Sequence, residues 1–129
     1  MKEALQVVVD EAESNPFIEV CGFLGFNRKK EAYVVQNEKN VSQDPSDYFM
    51  IDPLNYLIFK ENYDLLAVYH SHINTDAEPS EFDVKMSENC CIPFLIYSIE
   101  TKKFNLYKPQ NLEIDVNIYN RFKEDYDNY

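Results

Sequence analysis

"LLAVYHSHINTDAEPSEFDVKMSENCCIPFLIYSI" (residues 65–99) is the stretch whose reading decides the fold. Leu65 to His70 is a short apolar run of β type that ends on a histidine. "PSEFDVKMSENC" has the composition of a helix that starts at Pro79 or Ser80. "IPFLIYSI" (residues 92–99) is nearly continuous in apolar residues, as in a strand covered on both faces. The stretch also holds the chain's only two histidines, His70 and His72. An acidic loop, then Ser80 and Asp83, follow them.

The flanks extend the same pattern. In "KEALQVVVDEAESN", Ala4, Leu5, Val8 and Ala12 recur at helical spacing, and Pro16 ends the run. "VCGFLGF" reads as a buried strand and "EAYVVQN" as its hairpin partner across the polar turn Asn27 to Lys30. Tyr48 to Ile51 is expected to be extended. "PLNYLIFKENYD" is helical, with Pro53 suited to the first turn. "KFNLYKP" reads as one more strand. The predicted fold class is α/β, a single mixed β-sheet flanked by helices. After Pro109, Leu112, Ile114, Val116 and Ile118 alternate with polar residues, which suggests an edge strand. The acidic, Tyr-rich end is compatible with a short helix, a partner-docking tail or disorder. The expected organisation is one domain over residues 1–129, with 110–129 as an acidic C-terminal extension.

Composition narrows the function. The 129 residues carry 12 basic and 23 acidic side chains, a net charge of −11. That charge offers no footprint for nucleic acid or an anionic membrane. It could favour a basic partner, and solubility explains it equally simply. No apolar run is long enough to span a membrane. The N-terminus lacks the basic and apolar regions of a signal peptide, so a cytoplasmic location is expected. Three cysteines, Cys21, Cys90 and Cys91, do not form a disulfide framework and are expected to be small buried hydrophobes in a reducing compartment.

Residues i and i+2 of a strand point to one face, so His70 and His72 can converge on one metal ion. Asp83, a turn into the next helix, can add a carboxylate. Two histidines, one carboxylate and an open position suit a catalytic zinc. The plainer reading is also available. Ser80-x-x-Asp83 is a capping-box pattern that needs no metal, and a bare His-x-His arises by chance.

The spacing goes further. His70-Ser71-His72, seven residues, Ser80, two residues, Asp83 resembles the signature of the MPN/JAMM zinc metallopeptidases. Their upstream glutamate, before a Cys-Gly and an apolar run, matches Glu19 in "IEVCGFLGF". The resemblance covers about residues 1 to 108 and implies the family's fold, which is cytidine-deaminase-like. One position departs from the pattern: Ile73 stands where the family usually has proline. It is not a ligand position, so a change in loop stiffness is expected.

The resemblance implies one zinc per chain, held by His70, His72 and Asp83 with water in the fourth position. Glu19 is then the general base and Ser80 the donor to the oxyanion, in hydrolysis of a peptide or isopeptide bond. Cys21, two residues after Glu19, is read as packing. The sequences around the motif look most like the metallopeptidase domain of phage tail-assembly proteins of the lambda K type. Those usually continue into a cell-wall peptidase domain, so a stand-alone or truncated version, with processing in tail assembly as its setting, is expected. The partner is then a protein or peptide substrate, either a tail-tip or a ubiquitin-like protein. A deubiquitinase-like isopeptidase is the rival within the class. A non-catalytic assembly module stabilised by zinc is the rival outside it, and an intact Glu19 counts against it.

Overall fold

Lys2–Ser14 forms the first helix, α1, and buries Ala4, Leu5, Val8 and Ala12, the four residues that its periodicity selects. A computed structural model describes residues 1–129. The elements up to β5 follow in the predicted order: β1 (Cys21–Asn27), β2 (Ala32–Glu38), α2 (Pro53–Asn62), β3 (Asp64–His72), α3 (Glu81–Cys90), β4 (Phe94–Ser98) and β5 (Lys103–Tyr107); a fourth helix, α4 (Val116–Asp127), comes after them. The five strands make one sheet in the order β2-β1-β3-β4-β5. β3 and β4 are parallel, and the other pairs are antiparallel. A parallel pair needs a crossover, and α3 supplies it. The sheet is therefore mixed and flanked by helices, as the sequence suggests.

Local chemistry starts the helices. Asp52 caps α2 by accepting from the Leu54 N–H, and Pro53 fills the first position. Ser80 and Asp83 form a reciprocal capping box at the start of α3. Gly22 and Gly25 permit close approach within β1. A Cβ at Gly22 would collide with the Gln36 carbonyl and the Tyr69 ring, and one at Gly25 with the Phe59 ring.

Two cores lie on opposite faces of the sheet. One joins α1 and α4 through Leu5, Val8, Leu24, Leu66, Tyr69, Leu95, Tyr119 and Phe122. The other joins α2 and the preceding loop through Phe23, Phe49, Phe59, Leu65, Val68 and Phe94. Within β3, Leu65 belongs to the second core, Leu66 and Ala67 both to the first, and Val68 to the second again. The alternation skips one step there, because the pairing with β1 shifts between Leu24 and Gly25. This bulge puts His70 and His72 on the same face as Val68. Unbroken alternation from Leu65 would turn both histidines to the α1/α4 side.

Two expectations are corrected. Residues 112–118 are not an edge strand. The Asp115 side chain accepts from the Asn117 and Ile118 N–H groups and caps α4. Beyond it, Tyr119 and Phe122 are spaced by three and bury together, so helical spacing prevails from residue 116 on. Leu112, Ile114 and Ile118 still pack against the first core, which explains their apolar character without a strand. Of the three free cysteines, only Cys21 is buried; Cys90 is exposed and Cys91 half-buried. Cys90 and Cys91 end α3, and Cys91 adopts the left-handed conformation (φ 59°) that closes it.

Candidate metal centre

His70 and His72 occupy the C-terminal end of β3, and α3 brings Asp83 against them. Three ligand atoms, one from each residue, lie within 4.8 Å of one another, and all three residues are buried. Asp83 Oδ1 is 3.1 Å from His70 Nε2, and Asp83 Oδ2 is 3.0 Å from His72 Nε2. Zinc bonds of about 2.0–2.2 Å in a tetrahedron set ligands about 3.3–3.6 Å apart, so the two Asp83–histidine separations lie within a few tenths of an ångström of that spacing.

The tautomers suit a metal. His72 Nδ1 is 2.8 Å from the Asp76 carbonyl. A carbonyl can only accept, so Nδ1 carries the hydrogen and Nε2 faces Asp83 as the ligating atom. His70 is fully buried, and neither ring nitrogen makes a well-formed hydrogen bond. Its Nε2 is near Asp83 Oδ1 but poorly aligned with it. A buried nitrogen lone pair without a proper donor is costly in an apolar site and suits a cation. Phe49 stacks on the His70 ring at 4.4 Å, and Phe94 meets it edge-on at 5.6 Å.

The electrostatics follow from burial and from Asp83. Burial holds the His70 imidazole neutral, below its usual range, despite the carboxylate beside it. Burial acts the same way on His72, but the Asp83 carboxylate and the Asp76 carbonyl outweigh it and raise that imidazole. Burial opposes the charge on Asp83 too. The two imidazoles beside it and the Ser80 N–H nevertheless hold its carboxyl well below the usual range. The Ser80 N–H donates to Asp83 Oδ2 at 3.0 Å, so the helix cap and the candidate metal cluster share one oxygen. Ser80 itself is exposed. Its Oγ accepts from the Asp83 N–H at 3.0 Å, which leaves the hydroxyl hydrogen free to donate.

Glu19 lies before β1 rather than in it. Its approach to the site is set by Val20, whose N–H donates to Ser71 Oγ at 2.9 Å and whose carbonyl accepts from the Ser71 N–H at 3.0 Å. Those bonds continue the register Cys21↔His70 and set Glu19 opposite His72. Glu19 is buried, and burial pushes its carboxyl up to about 8, with the Asp83, Asp47 and Asp44 charges adding to the effect against the pull of His72. Cys21 beside it sits in the core, and burial raises its thiol to about 12, which suits packing.

The sequence-level reading missed Ser71, the Asp76 carbonyl and Phe49. Ser71 could have been found, since it faces away from the two histidines by strand alternation. Nothing in the sequence marks Asp76 or Phe49, because both act through loop geometry.

Comparison with known proteins gives the same direction. The family model described as prokaryotic homologs of the JAB domain matches residues 1–111. This chain belongs to that family. Among curated proteins, the JAB-family chain is 28% identical over 80 residues to the tail tip assembly protein K of Escherichia phage N15. The match spans 62% of this chain and 32% of the phage protein, so the chain corresponds to about a third of that relative's length. A solved structure of a Desulfitobacterium hafniense protein has a TM-score of 0.65 at 26% identity, covering 89% of this chain and 87% of that one. A Salinibacter ruber protein has a TM-score of 0.50 at 16% identity, covering 88% and 89%, and shows the same fold. No helix of this JAB-domain protein is long and apolar enough to cross a membrane.

Proposed function

We propose that this JAB-domain protein is a zinc-dependent hydrolase of a peptide or isopeptide bond. The observation that carries the reading is a buried, raised carboxyl, Glu19, in register opposite His72 of a buried His-His-Asp cluster. A zinc ion held by His70, His72 and Asp83 supplies Lewis-acid activation of water and of the substrate carbonyl when bound. The chain's own groups do the rest. Glu19 takes a proton from the attacking water and returns it to the leaving amine. The Ser80 hydroxyl donates to the oxygen that becomes negative in the transition state. The Asp76 carbonyl fixes the His72 tautomer, and the α3 capping box aims Asp83.

A polypeptide substrate suits the surroundings. Tyr48 and Phe82 are exposed and meet edge-on at 5.2 Å, and Phe82 precedes the ligand Asp83. Phe17 and Ile18, just before Glu19, are also exposed. The likeness to a tail tip assembly protein supports processing during phage tail assembly as the setting. Residues 110–129 are read as an extension of the one domain, with α4 on the sheet face away from the site.

JAB-domain families include metallopeptidases, and the prokaryotic family is often non-catalytic. The deciding experiment therefore separates metal from chemistry. Wild-type protein is expected to hold about one zinc per chain by elemental analysis. Glu19→Gln keeps that zinc and loses cleavage of a tail-tip or ubiquitin-like fusion substrate. Zinc binding with no cleavage by either protein of any such substrate leaves a zinc-stabilised assembly module as the function. Absence of zinc after loading defeats both.

A further inference from the structure

The segment between β2 and α2 is organised by one side chain, Asn40, whose amide is bonded at both ends. Its Oδ1 accepts from the Ser42 N–H at 3.0 Å and the Met50 N–H at 3.2 Å. Its Nδ2 donates to the Glu19 carbonyl at 2.8 Å and the Tyr48 carbonyl at 2.9 Å. An amide nitrogen has two hydrogens, so these two short bonds use both. The Pro45 carbonyl, 3.4 Å from the same nitrogen, already accepts from the Glu19 N–H at 2.7 Å.

Both main-chain polar groups of Glu19 thus end on the 40–50 segment, and neither ends on a strand. Only at Val20 does the chain pass to β3, through Ser71. The same segment carries Phe49, which stacks on the ring of His70. Two parts of the site that are 30 residues apart in sequence therefore rest on one amide. We propose that Asn40 is a positioning residue that locks the Glu19 main chain to the loop bearing Phe49, so that the base and the aromatic cover of His70 form and open as one unit. The name "base" rests on the function proposed above; the coupling itself does not.

The geometry supplies a dissecting substitution. Asn40→Asp keeps the oxygen that accepts from Ser42 and Met50 and loses both donors, leaving the Glu19 and Tyr48 carbonyls facing a carboxylate. The readouts are amide hydrogen exchange and ring-proton shifts by NMR on the metal-free full chain, which need no substrate. The Glu19 amide is expected to exchange roughly tenfold faster or more, with the Ser71 amide as a control that stays near wild type. The His70 ring protons, displaced by the ring current of Phe49, are expected to move toward their positions in Phe49→Leu. An unchanged Glu19 amide and unchanged His70 ring in folded Asn40→Asp overturn the proposal.

A second measurement needs no variant. In wild type under increasing urea, the Glu19, Met50 and Val41 amides are expected to follow one opening curve, and separate curves overturn the coupling. If the curves coincide and Glu19→Gln still cleaves substrate, the coupling stands and only the assignment of Glu19 as base falls. With an active substrate, Asn40→Asp is expected to lower kcat at nearly constant KM, and a constant zinc content separates this from loss of folded protein, which would lower both the apparent kcat and the bound zinc.

Discussion

The two faces of the sheet are built to different ends. The face under α1 and α4 is a closed apolar core of 13 buried residues, whose polar atoms are three tyrosine hydroxyls. The face under α2 and α3 has a smaller core of 8, and beside it lie the buried Glu19, His70, His72 and Asp83. Burying an ionisable group costs stability unless it is paired, so the site face is held together partly at the expense of the other. In this molecule the closed apolar core and the candidate metal cluster lie on opposite sides of one sheet, and adjacent residues of β3 face opposite ways.

The sharpest way to break that comparison is to damage the apolar face alone. Phe122→Ala, in the middle of α4, is expected to cost about 3–5 kcal/mol by chemical denaturation while the folded fraction keeps its zinc. A loss of metal in step with stability would show that the faces are not separable. On the other face, the proposed zinc is the lever. At a free zinc concentration about a thousandfold above Kd, saturation is expected to stabilise the wild type by about 4 kcal/mol, and His72→Ala is expected to lose that gain. Thermal melts with and without a chelator measure it.

The next effect tests the cost directly. Glu19 has a folded pKa of about 8, raised from an ordinary 4.5. Between those values the unfolded chain has released a proton that the folded chain retains, so this group lowers stability as pH rises from 4.5 to 8. Glutamine has no proton to lose. Glu19→Gln is therefore expected to stabilise the metal-free protein by about 2–4 kcal/mol near pH 8 and to change little near pH 4. Urea titrations at the two pH values decide it, and equal effects at both would remove the burial argument. The smallest expected effect is Ser80→Ala. Losing the cap costs about 1 kcal/mol, and because the cap also fixes Asp83, zinc affinity is expected to fall with it. An unchanged zinc affinity would mean that the histidines alone hold the carboxylate in place.

Much of this was legible beforehand. The four buried positions of α1, Pro53 in the first turn of α2, the Ser80 cap, and the runs that became β3 and β4 all follow from local periodicity and end chemistry. The set His70, His72 and Asp83 followed from spacing, and the structure brings the three together. The reading failed at residues 112–118, where alternation over a few residues suits a strand or an irregular approach to a helix equally well. Burial of Tyr119 and Phe122 settles it as the latter. It also failed at Cys90, where a small apolar residue at a helix end faces solvent.

By itself the sequence determined the first three helices, the five strands, their order and the donor atoms that a metal would meet, because these depend on neighbours within a turn or a strand. Tertiary structure decided which face those donors share. The extra residue in β3 near Leu66 shifts the alternation by one, and pairing with β1, a non-local interaction, is what places it. The position of Glu19 was decided in the same way. Its main chain is held by Pro45 and Asn40, more than 20 residues on, and its raised carboxyl comes from burial that no local pattern records.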